Sequence, residues 1–213
     1  MSASRDHILH RVRTALGRSA GQEPGDVPPV RLRVPEVAMD ARAASFITRL
    51  EALAGKAQRV ASMDAAREAV AVAIAGKSAV ASNAPYLAEC GIHSLPGVRT
   101  GIRDVDELRD VCEKSDIGIT SADYALGDTG TLVMIASPAE ARLVSLLPPA
   151  HIAVVPMDRV LSGLDELFMR VSRPADVSSS MVLITGPSRT ADIEQILVRG
   201  VHGPGQISVV LVG

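Results

Sequence analysis

The sequence is poor in aromatic residues and close to neutral. Aromatic side chains make up 2% of the 213 residues, and tryptophan is absent. Single-stranded nucleic acid is usually held by bases that stack on exposed aromatic rings, so such a binding platform is not expected. The formal net charge of −2 gives no general attraction to phosphate backbones or anionic lipid. We therefore expect no nucleic-acid partner.

Cysteine is also scarce, which bounds the redox chemistry. Cys90 and Cys112 are the two cysteines of the chain, and they stand in no metal-ligand spacing. We interpret them as two reduced, buried thiols. An iron–sulfur cluster normally needs four cysteines, so this chain alone should hold none. The sequence shows neither a clustered metal-ligand spacing nor a nucleotide or flavin fingerprint, and we expect no metal and no cofactor.

Long apolar runs are missing as well. The polar N-terminus, Met-Ser-Ala-Ser-Arg-Asp-His, has no signal-peptide core. The longest uncharged stretch near the middle, Leu143 to Met157, carries three prolines and predicts no spanning helix. We expect a cytoplasmic protein without membrane insertion.

Three segments follow from composition and periodicity. Residues 1–18 predict a helical arm with Ile8 and Val12 on one face, and residues 19–40 form a linker rich in proline and glycine. Residues 41–213 predict the main domain. Whether the arm packs on its own chain or on a neighbouring subunit of a homo-oligomer stays open.

Strand and helix patterns alternate through the main domain. This predicts an α/β fold with a mostly parallel sheet and helices on both faces. Gly127-Asp-Thr-Gly130 predicts a tight turn, so that Tyr124–Leu126 and Thr131–Ala136 form an antiparallel hairpin. The other predicted strands are Gln58–Ala61, Ser78–Ser82, Asp116–Ser121, His151–Val155, Met181–Thr185 and Ile207–Val212. The predicted helices are Ala41–Ala54, Asp64–Ala75 (capped by Asp64), Ala84–Glu89, Val105–Glu113, Ala139–Leu146, Arg159–Val171 and Arg189–Arg199.

Thr185-Gly-Pro-Ser-Arg-Thr-Ala-Asp is the first candidate site. It joins a predicted strand to a predicted helix that begins near Ser188 or Thr190. Backbone N–H groups at a helix N-terminus attract anions, and Arg189 adds a charge that suits a carboxylate or phosphate. Plain helix capping explains the serine and threonine but not the arginine. Both interpretations stay open.

Gly127-Asp-Thr-Gly-Thr is the second candidate. An aspartic protease needs a second matching carboxylate motif, which the sequence lacks. Asp128 either bonds its own turn or lies at the mouth of a site together with Thr129 and Thr131. Asp123, at the end of a predicted strand, has the same two interpretations.

Histidines and single polar residues complete the set. His202 lies between two glycines after a predicted helix and could serve as acid, base or donor. Asn83, Arg142 and His151 are secondary candidates, each with a structural alternative: a helix cap, a solvent-directed cation and a core histidine. Because strand ends converge in an α/β domain, we expect the candidates to share one crevice.

The polar motifs together resemble the LUD-domain family, and specifically its lactate-utilisation protein C branch. They are Thr-Ser-Ala-Asp-Tyr-Ala-Leu-Gly-Asp-Thr-Gly-Thr-Leu-Val from Thr120, Ser-Leu-Leu-Pro-Pro-Ala-His-Ile-Ala-Val-Val from Ser145, and Thr-Gly-Pro-Ser-Arg-Thr-Ala-Asp-Ile-Glu…Gly-Val-His-Gly-Pro from Thr185. The resemblance covers residues 40–213 and is densest from 117 to 205. It implies a fold similar to the sugar-phosphate isomerase and CoA-transferase group.

The resemblance also implies a role in oxidation of L-lactate to pyruvate, with two iron–sulfur partner proteins of the A and B type. Two hypotheses follow. In the first, the chain is a non-redox component with a crevice for a small carboxylate or phosphate. In the second, it is a self-sufficient enzyme of CoA-transferase or sugar-phosphate-isomerase type. Such transferases use a glutamate at a strand end, whereas Glu140 and Glu194 lie in predicted helices, which favours the first.

Overall fold

The chain divides into two compact units. The computed structural model describes residues 3–22, 34–191 and 197–213. The units are residues 1–31 and residues 32–213. The first contains helix α1 (Ala3–Ala15), in which Ile8 and Val12 are four residues apart and share one face. The second contains the α/β fold.

The second unit alternates helices and strands for most of its length. Its helices are α2 (Met39–Ala52), α3 (Met63–Ala73), α4 (Pro85–Glu89), α5 (Val105–Lys114), α6 (Arg142–Leu146), α7 (Leu164–Arg170) and α8 (Pro174–Val177), with 3-10 turns at Ile92–Ser94 and Met157–Arg159. Its strands are β1 (Lys56–Val60), β2 (Ala79–Ala81), β3 (Val98–Arg99), β4 (Ile117–Ser121), β5 (Tyr124–Leu126), β6 (Thr131–Ile135), β7 (Ala150–Pro156), β8 (Val160–Leu161), β9 (Met181–Ile184), β10 (Arg189–Ala191), β11 (Leu197–Arg199) and β12 (Gln206–Val212).

Six parallel strands form the central sheet. Their order is β3-β2-β4-β7-β12-β1. All positions of β2 and β4 are buried, as are the five inner positions of β7. Continuous apolar strands of this kind are typical of a sheet that is covered on both faces.

Helices cover both faces of this sheet, as predicted. On one face, α3 and α4 pack through Val70 and Leu87 against Ile119 and its neighbours. On the other face, α2 packs through Phe46 and Leu50, and α5 and α6 cover Val80 of β2. The α6 helix lies so close to β4 that a Cβ on Gly118 would be 1.8 Å from the carbonyl oxygen of Val144. Glycine is therefore required there.

A second, mixed sheet packs on the same face as α2. Its order is β8-β5-β6-β9, and β5 and β6 form the predicted antiparallel hairpin. The predicted strand Met181–Thr185 forms β9 of this sheet and does not join the parallel sheet.

Two helix predictions were wrong because strand pairing overrides the local pattern, and one predicted helix cap was wrong. The predicted helix Arg159–Val171 begins only at Leu164, since Val160 and Leu161 pair with β5 as strand β8. In place of the predicted helix Arg189–Arg199, β10 and β11 pair antiparallel. The N-cap of α3 is Ser62, not Asp64: the Ser62 hydroxyl accepts the N–H of Ala65.

Candidate functional site

Polar residues follow two neighbouring strands of the central sheet at their carboxyl ends. Ser82 and Asn83 come directly after β2, while Ser121 ends β4 and Asp123 follows it. Along the chain, β2 is followed in this sheet by β3, and β4 is followed by β7. In the sheet, β3 and β7 lie on opposite sides of the β2–β4 pair. Where connections diverge in this way, a crevice opens, and it is the usual ligand site of open α/β sheets.

A cavity of about 210 Å³ lies in this crevice. Its polar lining comes from four regions of the chain: Tyr86 and Glu89 of α4, Ser121 and Asp123 at the end of β4, Ser137 and Glu140 before α6, and Arg159 after β7. We call this cavity, together with the residues that line it, the β2–β4 crevice. Pockets for drug-sized ligands measure about 300–1,000 Å³, so this one suits a small metabolite.

Glu140 is the most unusual group of the β2–β4 crevice. It lies in a bend before α6 and is 8% exposed. Its Oε2 accepts a hydrogen bond of 2.6 Å from the Ser82 hydroxyl. Its buried Oε1 meets no partner of hydrogen-bond geometry within the described parts of the chain. A buried carboxyl oxygen without a partner is costly and often marks a functional position.

Burial raises the pKa of Glu140 to about 8. The Ser82 hydroxyl opposes this rise by stabilising the charged form. The nearby N–H of Ser121, although outside hydrogen-bond geometry, acts in the same direction, whereas the negative charge of Asp123 adds to the rise. Glu140 is therefore mostly neutral at pH 7.

Asp123 lies beside Glu140 and is held by the last residue of β6 in the second sheet. Its Oδ2 accepts a 2.6 Å hydrogen bond from the N–H of Ile135. Burial raises the pKa of Asp123, while that hydrogen bond and the charge of Arg159 lower it. Arg159 itself is half-buried in the 3-10 turn that follows β7. The crevice thus combines a cation, a hydrogen-bonded carboxylate and a neutral carboxylic acid.

A larger cavity of about 850 Å³ adjoins the β2–β4 crevice across residues 137–140. Several of its polar groups bond to the protein: Asn83 donates a hydrogen bond to the carbonyl of Ile102 at 2.9 Å and accepts one from the N–H of Gly101 at 2.8 Å. His93 Nε2 lies 2.9 Å from the carbonyl oxygen of Ser82. Asn83 thus holds the loop of Gly101 and Ile102. We place the candidate site in the smaller cavity because it contains Glu140, whose buried Oε1 has no partner among the described residues.

Three predicted residues lie at the turn of the β5–β6 hairpin: Asp128, Thr129 and Thr131. Asp123 starts this hairpin, so they lie at its opposite end. The turn packs on α2, because a Cβ on Gly130, whose φ is +69°, would be 2.6 Å from the backbone nitrogen of Leu50. The Thr129 hydroxyl bonds Asp128 at 3.2 Å, and that of Thr131 lies 2.9 Å from that of Thr185. These contacts are those of a structural turn.

The predicted anion loop lies at the amino edge of the sheet. The N–H of Ser188 donates to the carbonyl of Pro204 at 2.9 Å, just before β12. The Arg189 guanidinium donates to the carbonyl of Leu53, just before β1. Because β10 replaces the predicted helix, no helix N-terminus stands behind Arg189 in the described part of this loop. The side chain of Thr190 lies outside the described residues.

The remaining candidates are also apart from the β2–β4 crevice. His202 lines a separate cavity with Leu147 and Pro149, at the amino end of β7. Arg142 is exposed at the start of α6. His151 is buried in β7, where its Nε2 lies 2.7 Å from the Thr120 hydroxyl, and burial lowers its pKa to about 4. Of the predicted site residues, Asp123 lines the crevice, and Asn83 lines the larger cavity that adjoins it.

Comparison with known proteins decides the family. The family model described as the LUD domain matches residues 43–212. The chain belongs to the LUD domain family. A Lactate utilization protein C from Halalkalibacterium halodurans is 40% identical over 103 residues, which cover 46% of this chain and 45% of that protein. A protein of the same name from Bacillus subtilis is 34% identical over 163 residues, covering 70% and 68%.

The aligned part of this LUD domain spans about half the length of the first two relatives, those from Halalkalibacterium halodurans and Exiguobacterium sp.. A crystal structure of a DUF162 family protein from Deinococcus radiodurans matches with a TM-score of 0.64. It is 20% identical, and the match covers 83% of this chain and 99% of that one. At this identity the likeness concerns the fold alone.

Sequence reasoning missed most of the groups that meet in the LUD domain's crevice. Tyr86, Glu140 and Arg159 were not proposed as site residues, and Glu140 was wrongly placed in a helix. The available signal was a lone glutamate in an apolar segment, close before an apolar helix. Both cysteines are buried free thiols, as predicted. None of the described helices is both long and apolar enough to cross a membrane.

Proposed function

We propose that this LUD domain serves lactate utilisation as a non-redox component, and that it binds a small organic acid in the β2–β4 crevice. The names of its relatives support the physiological role. One observation carries the binding site: the buried, partly unpartnered Glu140 at the carboxyl edge of the sheet, beside Asp123 and Arg159.

Three of the four charged or acidic groups of the crevice, Asp123, Glu140 and Arg159, complement a small organic acid; the fourth, Glu89, is exposed on α4. Arg159 offers a charge-assisted contact to a carboxylate. Asp123 accepts hydrogen bonds, and a neutral Glu140 donates one. A ligand with a carboxylate and an adjacent hydroxyl uses all three.

Electron transfer belongs to partner proteins in this proposal. The chain has two cysteines, whereas an iron–sulfur cluster normally takes four. Both thiols are buried, Cys90 directly after α4 and Cys112 within α5, and burial raises the pKa of each. Iron–sulfur partners of the A and B type would carry the electrons. Co-purification of cysteine-rich proteins with this chain from its native host tests that part.

A second candidate function is a self-sufficient enzyme acting on a small anionic substrate. The position of Glu140 favours it, because the glutamate lies at the strand ends and outside any helix. Turnover by the pure chain, lost on Glu140→Gln, would support this candidate over the first.

Titration calorimetry with L-lactate and pyruvate tests the site. Arg159→Ala removes a charge-assisted contact worth roughly 1.5–3 kcal/mol, so affinity should fall by about 10- to 150-fold. Arg189→Ala serves as the comparison, because Arg189 lies at the opposite edge of the sheet and was the anion-binding candidate of the sequence. If Arg189→Ala abolishes binding and Arg159→Ala does not change it, the ligand binds at residues 185–204 and the proposed site is wrong.

A further inference from the structure

The two oxygens of Glu140 have different surroundings. Oε2 is fixed by the Ser82 hydroxyl at 2.6 Å. Oε1 is buried and unpaired with respect to the residues that the structure describes. If the proton of the neutral acid resides on Oε1, then Oε2 accepts from Ser82 while Oε1–H is a free donor. The hydrogen bond from Ser82 to Oε2 therefore fixes the orientation of the carboxyl group and of its free Oε1–H.

Ionisable groups from several elements face this carboxyl across the crevice. They are Asp123 after β4, Tyr86 and Glu89 on α4, and Arg159 after β7. The carboxylate of Asp123 opposes ionisation of Glu140. Burial raises the pKa of Tyr86, so the phenol stays neutral over the useful pH range. An ionised Glu140 would therefore add a second negative charge beside Asp123, which would repel a bound carboxylate.

We propose that Glu140 binds the ligand as a neutral acid, donating its proton in a hydrogen bond to the oxygen adjacent to the ligand's carboxylate, so that ligand and proton bind together. The inference rests on the proposed function and deepens it, because it selects 2-hydroxy acids over simple carboxylates. The hydroxyl of a 2-hydroxy acid accepts from Glu140 and donates to Asp123, while its carboxylate meets Arg159. Acetate lacks that hydroxyl, so neither Glu140 nor Asp123 would contact it.

The pH dependence follows from this arrangement. Well below pH 8 Glu140 carries its proton and affinity should be constant, whereas at pH 8 half of the neutral form is already lost. Above pH 8 the fraction of protein with a neutral Glu140 falls about tenfold for each pH unit, and the affinity for the ligand should fall in proportion.

Calorimetric titration with L-lactate at pH 6, 7, 8, 9 and 9.5 tests the inference. Wild type should lose about 16-fold in affinity between pH 8 and pH 9.5, which is less than the full slope because half of the protein has already lost the Glu140 proton at pH 8. Glu140→Gln keeps a neutral donor and should bind with a flat pH profile. Glu68→Gln, a matched change of an exposed carboxylate on α3, should follow wild type.

Proton uptake gives an independent readout. Titrations at pH 9 in two buffers of different ionisation enthalpy should show close to one proton taken up per lactate by wild type, and none by Glu140→Gln. Acetate should bind at least tenfold more weakly than L-lactate. If lactate binds equally at pH 6 and pH 9.5, or Glu140→Gln keeps the wild-type slope, the inference fails and the proposed function stands. If lactate and pyruvate do not bind at any pH, the proposed function fails.

Discussion

Glu140→Gln should make the free protein more stable at alkaline pH. The substitution keeps the size of the side chain, and the amide oxygen still accepts the Ser82 hydroxyl. It removes the titration of a carboxyl whose pKa rises from 4.5 to about 8 on folding. A raised pKa means that the folded state holds the proton more tightly than the unfolded state. Stability from this group is therefore full below pH 4.5 and is lost as pH rises through about 8.

The size of the effect follows from the two pKa values. At 1.36 kcal/mol for each pH unit, the gap corresponds to about 4–5 kcal/mol once both values have been passed. Between pH 5 and pH 9, wild type should therefore lose about 4 kcal/mol of unfolding free energy relative to Glu140→Gln. That is a large part of the ~5–15 kcal/mol that stabilises an ordinary domain.

Urea denaturation at pH 5, 7 and 9, followed by circular dichroism, measures this difference. The other titrating groups are common to both proteins and cancel in the comparison. Glu68→Gln controls for the loss of one carboxylate and should differ little from wild type at every pH. Parallel stability curves for wild type and Glu140→Gln would show that Glu140 ionises normally, and the reasoning would be refuted.

Two further predictions concern the frame that holds the crevice. Gly118→Ala should destabilise the fold by more than about 2 kcal/mol in the same assay, because the new Cβ would lie 1.8 Å from Val144 O; an unchanged denaturation midpoint would contradict the close approach of α6 to β4. His151→Gln should reduce acid sensitivity. Burial lowers the pKa of His151 from 6.5 to about 4, so wild type should lose about 3 kcal/mol as pH falls between these values. If the variant's stability falls with pH as wild type's does, the buried histidine is not the cause.

The central sheet was predictable because its signal is local. Strands such as β4 and β7 are buried on both faces, and a run of buried positions leaves an apolar run in the sequence. Where the secondary structure of a segment depends on pairing with a strand far away in the sequence, it was not predictable. Val160 and Leu161 continue an amphipathic pattern, yet they pair with β5 some 35 positions earlier.

The crevice was less predictable for the same reason. Asp123 was found because it follows a strand directly. The environment of Glu140 is created by residues far away in sequence: its hydrogen-bond partner Ser82 is 58 positions distant. The local signal, a lone glutamate in an apolar segment, does not show which distant residues bury it. The Arg189 loop had the stronger sequence motif, but its residues meet the amino ends of the strands.

The most direct test of the account is a crystal structure of this chain grown with L-lactate. We expect the ligand in the β2–β4 crevice, with its carboxylate on Arg159 and its hydroxyl within hydrogen-bond distance of both Glu140 and Asp123. Lactate bound at the 185–204 loop, with that crevice free of it, would contradict the central claim.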